Sequence, residues 1–176
     1  MLKIFLAVLA LLSAGLLIYA ATLPDSFRVQ RSASIKAPPE KIFPLIADLH
    51  RWEAWSPWEK VDPALRRTYS GEQSGKGAVY EWNGNKDVGQ GRIEIIDTTP
   101  PKRVLIKIDF FVPFEAHNTV EFTLQPEGGT TQVSQAMFGP SPFLSRLMGL
   151  FFSMDKMIGE KFEAGLAGIK SIAETP

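Results

Sequence analysis

The chain has 176 residues, no cysteine, and nineteen basic side chains against nineteen acidic ones. That length suits one domain with an appendage, large enough to bury a core without staples. The missing cysteines exclude disulfides, thiolate chemistry and the strong zinc signatures, and the balanced charge with no basic block excludes an electrostatic footprint for nucleic acid.

The appendage is the N-terminus. From Ile4 to Ala21 eighteen residues carry no charge, which reaches the lower limit for a membrane-spanning helix. A cleaved signal peptide is the competing reading, and it needs a small residue two positions before the cleaved alanine. For Ala20 or Ala21 that place is held by Ile18 or Tyr19. The spacing therefore predicts an uncleaved transmembrane anchor over residues 1–22, a linker over 23–27 and a domain over 28–174, in a single-pass membrane protein. Lys3 argues for a cytoplasmic N-terminus, whereas Arg28, Arg31 and Lys36 argue for the opposite orientation.

Beyond the linker, Val29, Arg31, Ala33 and Ile35 alternate with polar residues, the pattern of a half-buried strand. Pro38-Pro39 stops it. Ile42, Leu45, Ile46 and Leu49 then recur at helical spacing, with Pro39 suited to a first turn. Trp52 to Glu59 crosses a break at Ser56-Pro57, and a second short helix or turn is expected over 58–65. Strands follow over 66–70 and 78–82, with a hairpin turn at Asn83-Gly84-Asn85. Further strands are expected over 88–97, 103–110, 118–125 and 131–138, separated by Pro100-Pro101 and Gly128-Gly129. The Val104 to Phe110 stretch alternates cleanly, with Lys107 and Asp109 opposite the apolar set.

The last third changes period. Ser141-Pro142 reads as an N-cap with a first-turn proline. Leu144, Leu147, Met148, Phe151, Ile158, Phe162, Leu166, Ile169 and Ile172 then recur every three or four residues, predicting one long helix, with a bend near Gly149 or Ser153. Gly159, Gly165 and Gly168 each cost about 1 kcal/mol against alanine in a helix interior, so close approach to a flat surface is expected there. An antiparallel sheet has one apolar side to cover, and this helix is the only large apolar one available. The fold predicted is α+β: a curved antiparallel sheet wrapped around a long C-terminal helix.

The stretches "IKAPPEKIFPLIAD" (35–48), "WSPWEKVDP" (55–63), "YEWNGNKDVGQGRIEI" (80–95), "VPFEAHNTVEF" (112–122) and "DKMIGEKFEAGLAGIK" (155–170) resemble the SRPBCC superfamily, with its START-like or Bet v 1-like helix-grip fold. More narrowly, the chain resembles bacterial membrane-anchored members labelled polyketide cyclase-like, which implies a bacterial inner-membrane location. The resemblance implies a hydrophobic cavity between sheet and C-terminal helix. Its members bind lipids, quinones, hormones or polyketides, and only some catalyse a reaction. Gln135 departs from it, standing where relatives that read "VTW" carry tryptophan.

The tryptophans of "WEAWSPWE" admit three readings. Trp52, Trp55 and Trp58 suit a lid over the cavity, ordinary core packing at the open end of the sheet, or an aromatic belt at a membrane surface. Cavity-facing candidates on the sheet are Tyr80, Trp82, Ile106, Ile108, Phe110, Phe122, Gln135 and Met137. Phe151, Met154, Ile158 and Phe162 face them from the helix. Composition leaves a solid core equally open. His117 stands two residues from Glu115 on one strand face, as an acid–base or metal pair does, but the pattern fits edge or surface residues better. No Ser-His-Asp order, HExxH pattern or phosphate loop is present, and no catalytic residue, metal or cofactor is assigned. The leading expectation is a membrane-tethered binder of an apolar small molecule or lipid. A polyketide cyclase/dehydrase-like enzyme, with Gln135, Tyr80 or His117 lining its site, and a structural or interaction domain with a filled core are the alternatives.

Overall fold

The computed structural model describes residues 1–175. Helix α1 (Leu2–Thr22) stands off the domain, with only Ala20 buried. Strand β1 (Ser26–Ile35) leads to α2 (Pro39–Ala47), which contains Pro44, then to a 3-10 turn over Leu49–Arg51, α3 (Trp52–Trp55) and a 3-10 turn over Pro57–Lys60. Strands β2 (Arg66–Gly71), β3 (Ala78–Asn83), β4 (Gln90–Thr99), β5 (Arg103–Val112), β6 (Ala116–Glu127) and β7 (Thr130–Pro140) follow. Helices α4 (Phe143–Gly149) and α5 (Met154–Ala173) end the chain.

The seven strands form one antiparallel sheet in the order β1-β7-β6-β5-β4-β3-β2. The first strand thus pairs with the last, and α5 crosses the concave face. Register shifts opposite Gln90–Gly91 and between Ile95 and Asp97 mark two bulges, at Phe111 of β5 and at Ile96 of β4, which sharpen the local twist and curve the sheet. Gly91 has no side chain where the Trp82 indole lies against the backbone.

The expected single C-terminal helix is two helices. The chain breaks over residues 150–153, and Ser153 caps α5 by accepting from the Lys156 N–H at 3.2 Å. Ser141 does not cap α4. Its N–H donates to the Asp25 carbonyl at 2.6 Å, and Pro142 takes the cap position. The expected turn at residues 83–85 is a longer loop, closed by Gly84 N–H on the Gly89 carbonyl at 2.9 Å.

Glycines explain how α5 seats so closely. A Cβ on Gly168 would stand 2.8 Å from the Trp55 carbonyl oxygen. At Gly159 the space is taken by the guanidinium of Arg31. That group reaches up from β1 and lies between Asp155 (2.9 Å) and Glu163 (2.7 Å), one turn to either side of the glycine. Arg31 is thereby reconciled with the apolar face on which its alternation places it. The ion pairs are largely exposed and fix orientation more than they stabilise.

Core and cavity divide along the length of α5. Its C-terminal half is buried through Phe162, Leu166, Ile169 and Ala173. It packs with α2, α3 and the sheet into one hydrophobic cluster that includes Ile42, Ile46, Phe122 and Val133. Its N-terminal half overhangs the sheet without filling the space beneath.

Candidate functional site

Beneath that overhang lies a cavity of about 440 Å³. This is within the size range of small-molecule sites, and its walls are mainly aromatic and aliphatic, as such sites generally are. Strands supply the concave wall: Tyr80 and Trp82 from β3, Ile93 from β4, Ile106, Ile108 and Phe110 from β5. Asn118 and Val120 from β6, Gln135 and Met137 from β7 and Phe27 from β1 complete it. Period-two alternation puts every second residue of each strand on this face. Met154, Ile158 and Phe162 of α5 form the opposite wall.

The three tryptophans do different jobs. Trp52 and Trp55 close the inner end, with ring centroids 5.0 Å apart, and both are buried. Their indole N–H groups donate to the carbonyls of Ile46 (2.9 Å) and Leu45 (2.8 Å), so each buried donor is satisfied at the end of α2. They are core and cavity wall at once. Trp58 is 43% exposed at the rim, with the Lys161 ammonium 5.4 Å from its ring centroid. Rim position and a cationic neighbour suit it to the mouth.

Two expected lining residues lie elsewhere. Phe122 is fully buried behind Trp52 and Trp55, edge-on to both rings at 6.3 and 6.2 Å, so the tryptophans stand between it and the cavity. Phe151 is 68% exposed, because the break before α5 carries it off the helical stripe. His117 reaches the rim, but its ring turns away. Nδ1 lies 2.6 Å from Asp109 and Nε2 3.3 Å from Glu115. Asp109 sits between cavity-facing Ile108 and Phe110, so it points to the other side of the sheet. The Asp109 hydrogen bond raises the His117 pKa above the ordinary histidine value. Burial works against ionising Asp109, yet its bonds to His117 and Lys107 prevail and its pKa is lowered. Among the described residues no three His, Asp or Glu side chains gather as a metal site.

The polar groups that do line the cavity are few. Gln135 Oε1 is buried with no hydrogen-bond partner among the described residues. A buried amide oxygen left unpaired costs on the order of 1–3 kcal/mol, which makes it an acceptor for a ligand donor. Glu59, not singled out by the sequence, is buried in the cavity wall. Its Oε1 accepts from the Tyr80 hydroxyl at 2.7 Å and its Oε2 from Arg67 Nε at 2.7 Å. Burial first, then the bond and charge of Glu59, push the Tyr80 phenol far above its ordinary pKa. Tyr80 is therefore a neutral donor with a free lone pair, not a base. These two bonds engage one lone pair on each Glu59 oxygen and hold Tyr80 and Arg67 in place. The only advance signal was an acidic residue four positions after Trp55 in a strongly aromatic stretch.

A family model described as polyketide cyclase / dehydrase and lipid transport matches residues 26–174. No curated protein matches by sequence. Among solved structures, the chain is similar to ginseng major latex-like protein 151 from Panax ginseng, with TM-score 0.62 and 12% identity over 86% of this chain and 100% of that one. It is similar to the di-domain ARO/CYC protein BexL, with TM-score 0.61 and 14% identity over 90% of this chain and 54% of that one. It is also similar to protein CV1439 from Chromobacterium violaceum, with TM-score 0.60 and 14% identity over 88% and 100% of the two chains. At these identities the structural likeness establishes the Bet v 1-like fold alone. With the curved sheet, the overhanging helix and the matched residues together, the chain belongs to the polyketide cyclase / dehydrase and lipid transport family of the SRPBCC superfamily.

Proposed function

We propose that the protein is a membrane-tethered binder of an apolar small molecule or lipid, held between the sheet and the N-terminal half of α5. The observation that carries this reading is the 440 Å³ cavity, walled by aromatic and aliphatic side chains with Gln135 and Tyr80 as polar contacts. A ligand that is largely hydrocarbon, with one hydrogen-bond donor for Gln135 Oε1, matches those walls. A filled-core structural domain is disfavoured by the same cavity. The cyclase or dehydrase reading draws on the family description and on BexL, and its best residue here is Glu59. Glu59 is bound to Tyr80 and Arg67 in the wall, an arrangement that supports a structural role for the carboxylate there.

The tether is α1, twenty-one residues with no charge beyond Lys3, long enough to span a bilayer. Its last turn is integrated with the domain: Ala20 is buried, and Arg146 Nη1 donates to the carbonyls of Ala21 (3.2 Å) and Leu23 (2.9 Å). Cleavage at Ala20 or Ala21 would cut through this contact. We therefore divide the chain into an anchor over 1–22, a linker over 23–27 and a ligand-binding domain over 28–174. N-terminal sequencing of protein from native membranes should return Met1 or Leu2, and a chain starting near Thr22 contradicts the tether. Solvent extraction of the detergent-purified chain should release an apolar compound in amounts comparable to the protein. An Ile158→Trp variant, whose larger side chain intrudes on the cavity, should release less. Equal yields from both variants would contradict binding at this site.

A further inference from the structure

We propose that the mouth of the cavity rests on the bilayer, with α4, the α4–α5 joint and the β5–β6 hairpin inserted in the membrane surface beside the anchor. Ligand then enters from lipid and not from water. The inference rests on the tether reading and adds an orientation to it.

Outside α1, the large exposed apolar side chains among the described residues fall in three stretches: Trp58, residues 111–114 and residues 143–157. Contiguous exposed apolar surface of this kind marks an interaction site. Helix α4 has no buried residue at all, although Phe143, Leu144, Leu147 and Met148 make it strongly apolar. An apolar helix left bare by its own domain needs another apolar phase.

Topology puts these stretches at the anchor's end of the sheet. The anchor enters at Ser26, which pairs with Pro140 at the end of β7, directly before α4. The β5–β6 hairpin turns at the same end, with Phe110 paired to Ala116 and Phe114 at its tip, 70% exposed. Arg146 of α4 is bonded to the last carbonyls of the anchor, so α4 lies where the chain leaves the membrane. Tyr19, exposed on the anchor's final turn, marks the interfacial level. The same segments border the cavity mouth: Glu115 and Ala116 on one side, Ser141, Ser145 and Met154 on the other. The opposite end of the sheet carries the polar turns at Lys102 and Gly128 and, among the described residues, no large exposed apolar side chain. The β3–β4 loop at the anchor's end is polar, which confines insertion to the half of the sheet running from β5 to β1. Charges of both signs flank the rim (Glu115 and Asp155 against Arg146 and Lys156), so apolar insertion and not attraction to anionic lipid drives the contact.

The chain has no cysteine, so single-cysteine variants carry a nitroxide without background. The full-length protein is reconstituted in phosphatidylcholine vesicles, with labels at Phe151→Cys and Phe114→Cys on the rim. Leu12→Cys in the anchor and Lys102→Cys at the far end are the references. Collision with oxygen, which concentrates in lipid, is compared with collision with a water-soluble nickel chelate. The rim labels should share the oxygen preference of Leu12→Cys, and Lys102→Cys should prefer nickel, at low and high salt alike. Rim labels that read like Lys102→Cys while Leu12→Cys remains in lipid overturn the docking and leave the tether standing. A Leu12→Cys label in water overturns the tether and the docking together. Spin coupling between rim labels of different chains, without oxygen preference, assigns the patch to a second copy and overturns the bilayer as its partner.

Discussion

Replacing Trp55 by alanine separates its role as a structural wall from that of a movable lid. The indole is 4% exposed, lies tilted at 53° to Trp52 with ring centroids 5.0 Å apart, and meets Phe122 edge-on at 6.2 Å. Its six-membered ring approaches the Cβ direction of Gly165 at 3.3 Å, and its backbone seats Gly168. An aromatic of this size buries about 200 Å². At about 25 cal/mol per Å² that is about 5 kcal/mol, an upper figure because the unfolded chain already hides part of the surface. Loss of the donor to the Leu45 carbonyl adds up to about 1 kcal/mol. A net loss of about 4 kcal/mol follows, in the usual range for deleting a buried aromatic. Trp58→Ala, at the exposed rim, should cost under about 1 kcal/mol. Urea unfolding of the full chain in detergent, followed by circular dichroism, measures both. A Trp55→Ala loss below about 1 kcal/mol, or losses equal at the two sites, refutes the division between wall and rim.

Phe162→Ala, in the buried half of α5, should lower stability by about 3–5 kcal/mol in the same unfolding assay. Gly168→Ala should destabilise by about 1 kcal/mol despite alanine's better helix propensity, because the added Cβ meets the Trp55 backbone and overpacking costs more than propensity returns. The His117 pKa is raised in the folded state, so its contribution to stability is complete below the ordinary histidine value and is lost as pH rises through the folded pKa. Proton NMR should place His117 above that value, and Asp109→Asn should move it downward. A titration that Asp109→Asn leaves unmoved contradicts the pair.

The strands were legible because burial on one face leaves a two-residue alternation, as in Val104, Ile106 and Ile108. The glycines of α5 likewise announced a close approach, and Arg31 and Trp55 prove to be what approaches. The break before α5 was legible only as the bend expected near Gly149 or Ser153, and not as the end of one helix and the start of another. Leu144, Met148 and Phe151 keep helical spacing whether the partner is a protein core or another apolar phase, and residues 150–153 contain no proline or glycine to mark the interruption. Phe122 shares a strand face with Val120, and only the arrival of Trp52 and Trp55 from α3 decides which of the two meets the cavity. Glu59 is not legible in the sequence, because burying a carboxylate depends on Arg67 and Tyr80, 8 and 21 residues away, which no local pattern links to it. Gln135, by contrast, stood out as a polar residue on an apolar face, and it is buried in the cavity wall.

The central claim is that the space under α5 takes up an apolar ligand, and equilibrium binding of an environment-sensitive apolar fluorophore tests it most directly. The full-length chain, freed of bound lipid and held in detergent, should bind one probe per chain with quenching of tryptophan emission, since Trp52, Trp55, Trp58 and Trp82 all border the cavity. Ile158→Trp should weaken that binding while circular dichroism reports an unchanged fold. Saturable binding with an affinity unchanged by Ile158→Trp, or no binding to the unmodified chain, would contradict the account.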